Sequence, residues 1–269
     1  MKVKHEDTRR IVATVLCFVL ISVGASFLPI AIGAIVILSA LLTLLLITAY
    51  RLNRVRRDDM SKQLHEIQAT LDLYTRENFR QRLPPMIGWA ASPVLLSDIT
   101  SEIRLRRPKL ILELGSGVST IVMAYALEEL GSGRIVSLDH IADYRNRTIA
   151  ELGRHGLESW VDVRLAPLKP VRLGGRDWSW YDVAALDGLN EIDFMVVDGP
   201  PFETQSMARY PALPLTMDRL SATAVIVLDD ADRRDEQRCL KRWLEEFSDI
   251  DLELRASRKG TAILRRNAP

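Results

Sequence analysis

Between residues 113 and 230 the chain sets acids where apolar runs end. Glu113 closes the run LILE, Asp139 ends RIVSLD, Asp198 ends IDFMVVD, and Asp229 and Asp230 end AVIVLDD. Directly after Glu113 the chain turns through Gly115 and Gly117, in ELGSGVST. Each acid alone has a local use, because Asp often caps the helix that follows a strand. Acids at four strand ends are better explained by one shared site. Such a rim disfavours a pyrophosphate and suits a ligand that is cationic or rich in hydroxyls. Asp198, Asp229 and Asp230 are also oxygen ligands of the kind Mg2+ takes. The two glycines offer backbone without side chains, which a bulky ligand can approach closely. No Gly-Lys-Ser/Thr follows them, so the turn is not a P-loop, and Thr120 stands where a dinucleotide fingerprint has its third glycine.

These acids converge only if a parallel sheet lines up the strand ends. KLILEL, GSGRIVSLD, WVDVRLAPL, EIDFMVVDGPP and SATAVIVLDDAD are five near-continuous apolar runs. VSTIVMAYALEEL and YRNRTIAELGRHG alternate with them at helical spacing. That alternation predicts a doubly wound, Rossmann-like α/β sheet covered on both faces. DIDLELRAS and TAILRR, divided by RKG, read as a closing antiparallel hairpin, which makes seven strands. Ligands of such sheets sit beyond the carboxyl ends of the strands. Around one crevice that places Glu113, Gly115 and Gly117, then Asp139 with His140, Ala166 with Pro167, Asp198, and Asp229 with Asp230.

The N-terminal part is of another kind. No charged side chain occurs in residues 11–50, and one membrane span needs about 20 residues. Gly24, Ser26, Pro29 and Gly33 suit a turn, so the stretch predicts two transmembrane helices, near 11–27 and 30–50, joined as a hairpin; the rival is one long tilted or kinked helix, which would put the C-terminal domain on the opposite side. Lys2, Lys4, Arg9 and Arg10 precede it, and Arg51, Arg54, Arg56 and Arg57 follow it. Basic flanks favour the cytoplasm. The chain is therefore expected to be a multi-pass protein of the inner (plasma) membrane, with the lipid bilayer as a partner and the C-terminal domain in the cytoplasm. Residues 51–82 predict a helical stalk whose Met60, Leu64, Ile67, Leu71 and Tyr74 share one face. That face suits either a second copy of the chain or the protein's own domain. Ser92 and Pro93 suit the cap and first turn of a helix. A net charge of +1 argues against a nucleic-acid partner. Cys17 and Cys239 suggest no disulfide framework.

From 83 to 266 the residues resemble the class I S-adenosylmethionine-dependent methyltransferases. ELGSGVST stands as the first motif, VSLDH as the acidic end of strand two, IDFMVVDGPP as strand four, and the closing hairpin completes the pattern. ASP…RPKLILELGSGVST, Trp180 with Tyr181, and VVDGPP…ARYPALPL look most like bacterial small-molecule or glycan O-methyltransferases. The apolar run, its flanks and the helical spacing predict 1–10 as a cytoplasmic N-terminus, 11–50 as the transmembrane hairpin and 51–82 as the juxtamembrane stalk; the resemblance implies that 83–269 is the methyltransferase domain. It implies that S-adenosylmethionine lies against Glu113, Gly115, Ser116, Gly117 and Ser119, with Glu113 supporting its ammonium directly or through water. Asp139 would accept both ribose hydroxyls beside His140, Ala166 and Leu168 would lie near the adenine, and Asp198 would border the reacting centre.

The implied reaction moves a methyl group to a hydroxyl of a small-molecule, glycan or lipid-linked acceptor. Metal-dependent relatives of catechol O-methyltransferase carry an Asp after strand four and an Asp-Asn or Asp-Asp pair after strand five. That implies Mg2+ at Asp198, Asp229 and Asp230. Those relatives also place a catalytic Lys shortly after the strand-four Asp, and here the chain reads Asp198-Gly-Pro-Pro-Phe. The base is then His140, a carboxylate such as Asp198, or no residue at all if the acceptor ionises on the metal. Trp178, Trp180 and Tyr181 are candidate walls of an acceptor pocket. Two rival readings remain: an NAD(P)-dependent oxidoreductase, disfavoured by Thr120 and the closing hairpin, and a non-catalytic membrane-tethered scaffold.

Overall fold

Aliphatic runs become strands where both faces of the sheet will be covered, and the chain follows that rule. The computed structural model describes residues 13–16, 30–255, 257 and 259–267. Their strands are β1 (Leu110–Leu114), β2 (Arg134–Asp139), β3 (Val161–Leu165), β4 (Leu168–Leu173), β5 (Arg176–Tyr181), β6 (Ile192–Val197), β7 (Leu220–Asp229), β8 (Ile250–Arg255) and β9 (Thr261–Arg266). Seven of them form one sheet in the order β3-β2-β1-β6-β7-β9-β8. The pairs from β3 to β7 are parallel, and β9 runs antiparallel to both β7 and β8. The expected seven strands and closing hairpin are thus present, with the order reversing between β1 and β6.

Helices α2 (Pro93–Arg106), α3 (Val118–Leu130) and α4 (Ala142–His155) belong with one face, whose core includes Leu96, Ile103, Ile121, Phe194 and Val227. The other face buries Leu112, Met195, Ile226, Trp178, Trp180 and Trp243. The latter face carries the short α5 (Ala212–Thr216), α6 (Arg234–Glu246) and a two-stranded hairpin, β4–β5. That hairpin was not expected. Its signal is a pair of glycines, Gly174 and Gly175, with φ of 58° and 76°, inside LKPVRLGGRDWSWY. Two positive φ values are what the tight hairpin turn requires. The expectation that Trp178 and Trp180 wall a pocket is corrected here, since they are 1% and 0% exposed. Strand β5 turns both rings into the core, where Trp178 meets Tyr210 at 4.8 Å.

The chain divides into two compact units, Met1–Leu64 and His65–Pro269. In place of a second span and a separate stalk there is one helix, α1 (Ile30–Arg76). The change from apolar to charged residues at Arg51 does not interrupt it, because Arg, Lys, Gln and Glu are good helix formers and no proline intervenes before Pro84. Among the described residues α1 alone is long and apolar enough to cross a membrane. The first expected span lies outside the described residues apart from 13–16, which are helical.

The sheet-bearing unit starts at His65, ahead of the expected boundary at 83. Ala69 and Leu73 of α1 are buried against that unit, and Tyr74, Phe79 and Tyr125 meet edge to face at 5.3 and 5.0 Å. The predicted stripe, Met60, Leu64, Ile67, Leu71 and Tyr74, is exposed instead. Ser92 caps α2 as expected, accepting from Leu95 N at 3.2 Å, with Pro93 in the first turn.

Candidate functional site

The glycine turn after β1 is held from beneath by a knot of hydroxyls. Glu113 is fully buried; its Oε1 accepts from Ser119 at 2.6 Å, and its Oε2 from Thr120 and Ser137 at 2.6 Å each. Thr120 also accepts from Gly117 N at 2.9 Å. The residue that spoils the dinucleotide fingerprint is therefore the one that ties the turn to α3. Glu113 and Ser119 face into the fold and would act on a ligand only through this turn. Burial pushes the Glu113 carboxyl up to about 7, against the three hydroxyls that favour its ionised form. Gly115 has φ of 105°, a conformation that needs glycine. A Cβ there would stand 3.5 Å from the Asp198 carbonyl carbon and the Gly199 nitrogen, so the turn lies directly against the end of β6. Around Gly117 no atom lies within 4 Å of where a Cβ would be.

Asp139, at the end of β2, faces the same turn. Its Oδ2 accepts from Ser116 Oγ at 2.6 Å and Ser116 N at 3.3 Å, and its Oδ1 from Ile141 N at 2.9 Å. His140 Nδ1 lies 3.8 Å from Asp139 Oδ1, and burial lowers its pKa below the usual 6.5. Ala166 is buried, and its N–H donates to Asp139 O at 2.7 Å. Tyr181, the last residue of β5, is the one member of the aromatic trio that reaches this region. Its ring meets His140 edge-on at 6.1 Å, and its hydroxyl lies 2.1 Å from where a Cβ on Gly199 would sit. Burial, then the neighbouring Asp139, raises its pKa well above 10, so it remains a phenol.

Asp198, Asp229 and Asp230 come together as expected, with carboxylate oxygens within 4.8 Å of one another. The residue missed in the sequence is Arg209, 3% exposed, which stands among them. Its Nη1 donates to Asp229 O at 2.8 Å. Its Nη2 donates to Asp198 O at 2.9 Å and Asp230 Oδ2 at 3.0 Å, and lies 3.3 Å from Asp198 Oδ1. Glu236 Oε1 is 3.8 Å from its Nε, and Arg233 pairs with Asp230 at 2.9 Å. Burial works against the Arg209 charge, but Asp198 and Asp230 outweigh it and hold the guanidinium protonated. Burial, then the Asp229 charge, raises Asp198 well above the carboxylate range, and burial, then Asp230, raises Asp229. Asp230 adopts φ of 57°, a left-handed backbone that Asp tolerates better than most residues. The available clue to Arg209 was a lone cation in ARYPALPL.

Residues 112–231, from β1 to just beyond β7, match the family model described as a methyltransferase domain. The fold is shared with several solved structures. The O-methyltransferase TomG from Streptomyces achromogenes, in complex with SAM, is 19% identical, with a TM-score of 0.51 over 67% of this chain and 82% of that one. The SAH-bound methyltransferase PaMTH1 of Podospora anserina is 18% identical, with a TM-score of 0.52 over 74% and 87%. An O-methyltransferase from Bacillus cereus, in complex with SAH, is 16% identical, with a TM-score of 0.50 over 75% and 90%. No curated protein matches the chain. Residues 112–231 are thus similar to a methyltransferase domain, and the solved structures share the fold.

Two outcomes follow from these interactions. A buried acid whose folded pKa is raised ionises in the unfolded chain first, so stability falls as pH rises from 4.5 to about 7. Glu113→Gln removes that slope. The gap in melting temperature between wild type and variant is expected to narrow between pH 5 and pH 8 in thermal unfolding; a constant gap would mean that Glu113 does not titrate there. Arg209→Met strands the surrounding carboxylates and is expected to cost about 3–5 kcal/mol, the penalty for breaking a buried ion pair on one side. The same unfolding assay reads it, with a smaller loss at acid pH, where the carboxylates protonate.

Proposed function

We propose that this chain is a membrane-tethered methyltransferase that transfers a methyl group from S-adenosylmethionine to a hydroxyl of a small-molecule, glycan or lipid-linked acceptor. The observation that carries the reading is the placement of Asp139. It stands at the end of β2, beside the open backbone of Gly117 and across the turn from Asp198. A carboxylate at that strand end suits a ribose diol, and the surrounding acids suit a sulfonium. The uncharged half of α1, followed by Arg51, Arg54, Arg56 and Arg57, supports a tether with the sheet-bearing unit in the cytoplasm, and the tether fits an acceptor handled at the membrane. The exposed stripe of Ile67, Leu71 and Tyr74 would suit pairing with a second copy.

The transfer is an in-line displacement. The acceptor oxygen forms a bond to the methyl carbon, the carbon–sulfur bond breaks with its electron pair left on sulfur, and the hydroxyl proton goes to a base. Most of the rate comes from positioning. His140 is neutral at pH 7 because burial lowers its pKa, so it can accept that proton. The Asp198 carboxylate is the other candidate, able to accept the proton only when ionised, since burial favours its neutral form.

The carboxylate cluster also fits a divalent cation. Asp229 Oδ2 and Asp230 Oδ1 are buried without a hydrogen-bond partner, and the four acids Asp198, Asp229, Asp230 and Glu236 face Arg209, Arg233 and Lys259, the last 4.0 Å from Asp230 Oδ1. Asp198, Asp229 and Asp230 would hold the ion, which when bound would act as a Lewis acid on an acceptor hydroxyl.

Calorimetric titration of the detergent-solubilised full-length chain tests the cofactor. Micromolar affinity for S-adenosylhomocysteine, weakened at least tenfold by Asp139→Ala, is expected from the loss of charge-assisted hydrogen bonds. Binding of NADH in its place would move the chain to the oxidoreductases, and binding of neither would leave the scaffold. Thermal unfolding tests the ion. MgCl2 is expected to raise the wild-type midpoint reversibly with EDTA, and to leave Asp229→Asn unchanged. An unmoved wild type would mean that these acids serve Arg209 alone.

A further inference from the structure

With Trp178 and Trp180 buried in the core, the aromatic faces near the site come from elsewhere. Trp89, four residues before α2, is 66% exposed, and Phe202, four residues after Asp198, is 50% exposed. Their rings are nearly parallel, 17° apart in plane with centroids 6.3 Å apart. The Arg233 guanidinium lies over the Phe202 ring, 5.0 Å from its centroid, and pairs with Asp230 at 2.9 Å. Asp230 shares Arg209 with Asp198. A continuous path of contacts thus joins two solvent-facing rings to the acids of the reacting centre. Single exposed aromatics are ordinary; here two stacked rings face solvent and are linked through Arg233 to the acids of the candidate site.

We propose that Trp89 and Phe202 form an acceptor subsite that stacks the apolar face of a sugar ring, with the part-exposed Arg233 donating to its hydroxyls. The proposal rests on the methyltransferase reading and names its acceptor class. A sugar ring has one face of C–H groups and a rim of hydroxyls, so it needs an aromatic platform next to carboxylates and guanidinium groups. This rim supplies both. The platform opens to solvent, which lets a chain of further sugars extend outward, whereas a small planar acceptor would gain most from an enclosed slot. An anionic lipid surface fits less well, since the exposed Glu203 adjoins Phe202 and the charge of Arg233 is engaged by Asp230.

The test uses the full-length chain in phosphatidylcholine nanodiscs, with and without S-adenosylhomocysteine. The emission of Trp89 is taken as the difference between wild type and Trp89→Phe. The probes are the methyl glycosides of glucose, mannose, galactose and rhamnose, and maltose. At least one is expected to change the Trp89 signal saturably and to accept a methyl group from labelled S-adenosylmethionine. Phe202→Ala is expected to raise its KM about tenfold, more than it lowers kcat, while affinity for S-adenosylhomocysteine stays within twofold. The subsite is overturned if no glycoside moves the Trp89 signal. It is also overturned if catechol alone is methylated, or if brominated phosphatidylcholine in the disc quenches Trp89 without any sugar, which would make the rings a membrane contact. A chain that responds to sugars but does not bind S-adenosylhomocysteine would keep the subsite and remove the reaction.

Discussion

The candidate site depends on a single buried cation. Arg209 reaches the backbone carbonyls of Asp198 and Asp229, so one side chain links the ends of β6 and β7, two neighbouring strands joined by a long crossover. Without it, Asp230 would keep Arg233 and Lys259, but Asp198 and Asp229 would lose the guanidinium beside them in a space that water barely enters, and burial of unpaired charge is among the costliest things a fold can do. With it, the acids keep a fixed spacing, and Asp229 and Asp230 still have oxygens to offer a ligand. Arg233 and Glu236, at and after the start of α6, extend the same network outward and so tie the position of that helix to the site.

Much of this was legible in advance because it follows from period and punctuation. The strand runs, the acids that end them and the closing hairpin can be read from local composition, and so can the cap at Ser92. What escaped depends on partners distant in the chain. Arg209 lies between Met207 and Tyr210 in an apolar stretch, and nothing local says that it turns toward strands ending at 197 and 229. The aromatic trio misled for a similar reason. Trp178 and Trp180 alternate with polar residues, but which face of a hairpin meets the core depends on where the hairpin docks. The stripe from Met60 to Tyr74 is a correct helical face, yet Ala69 and Leu73 make the contact. Leu73 lies on the neighbouring face of the same helix, and the period alone does not say which face docks.

The two halves of α1 separate length from purpose. A helix of 47 residues would extend about 70 Å at 1.5 Å per residue, more than twice the thickness of a bilayer core. Its apolar part is long enough for a crossing and its last turns belong to the folded unit.

The hydroxyl knot around Glu113 has a consequence for turnover. A cradle whose turn is fixed by its own side chains has little left to order when a ligand arrives, so less of the ligand's binding energy is lost to immobilisation. The converse holds on departure. A loop that did not fold around its guest does not have to unfold to release it, and it is ready for the next molecule as soon as the spent one has gone. Ser119, Thr120 and Ser137, through their bonds to Glu113, would in this way bear on how quickly a ligand leaves.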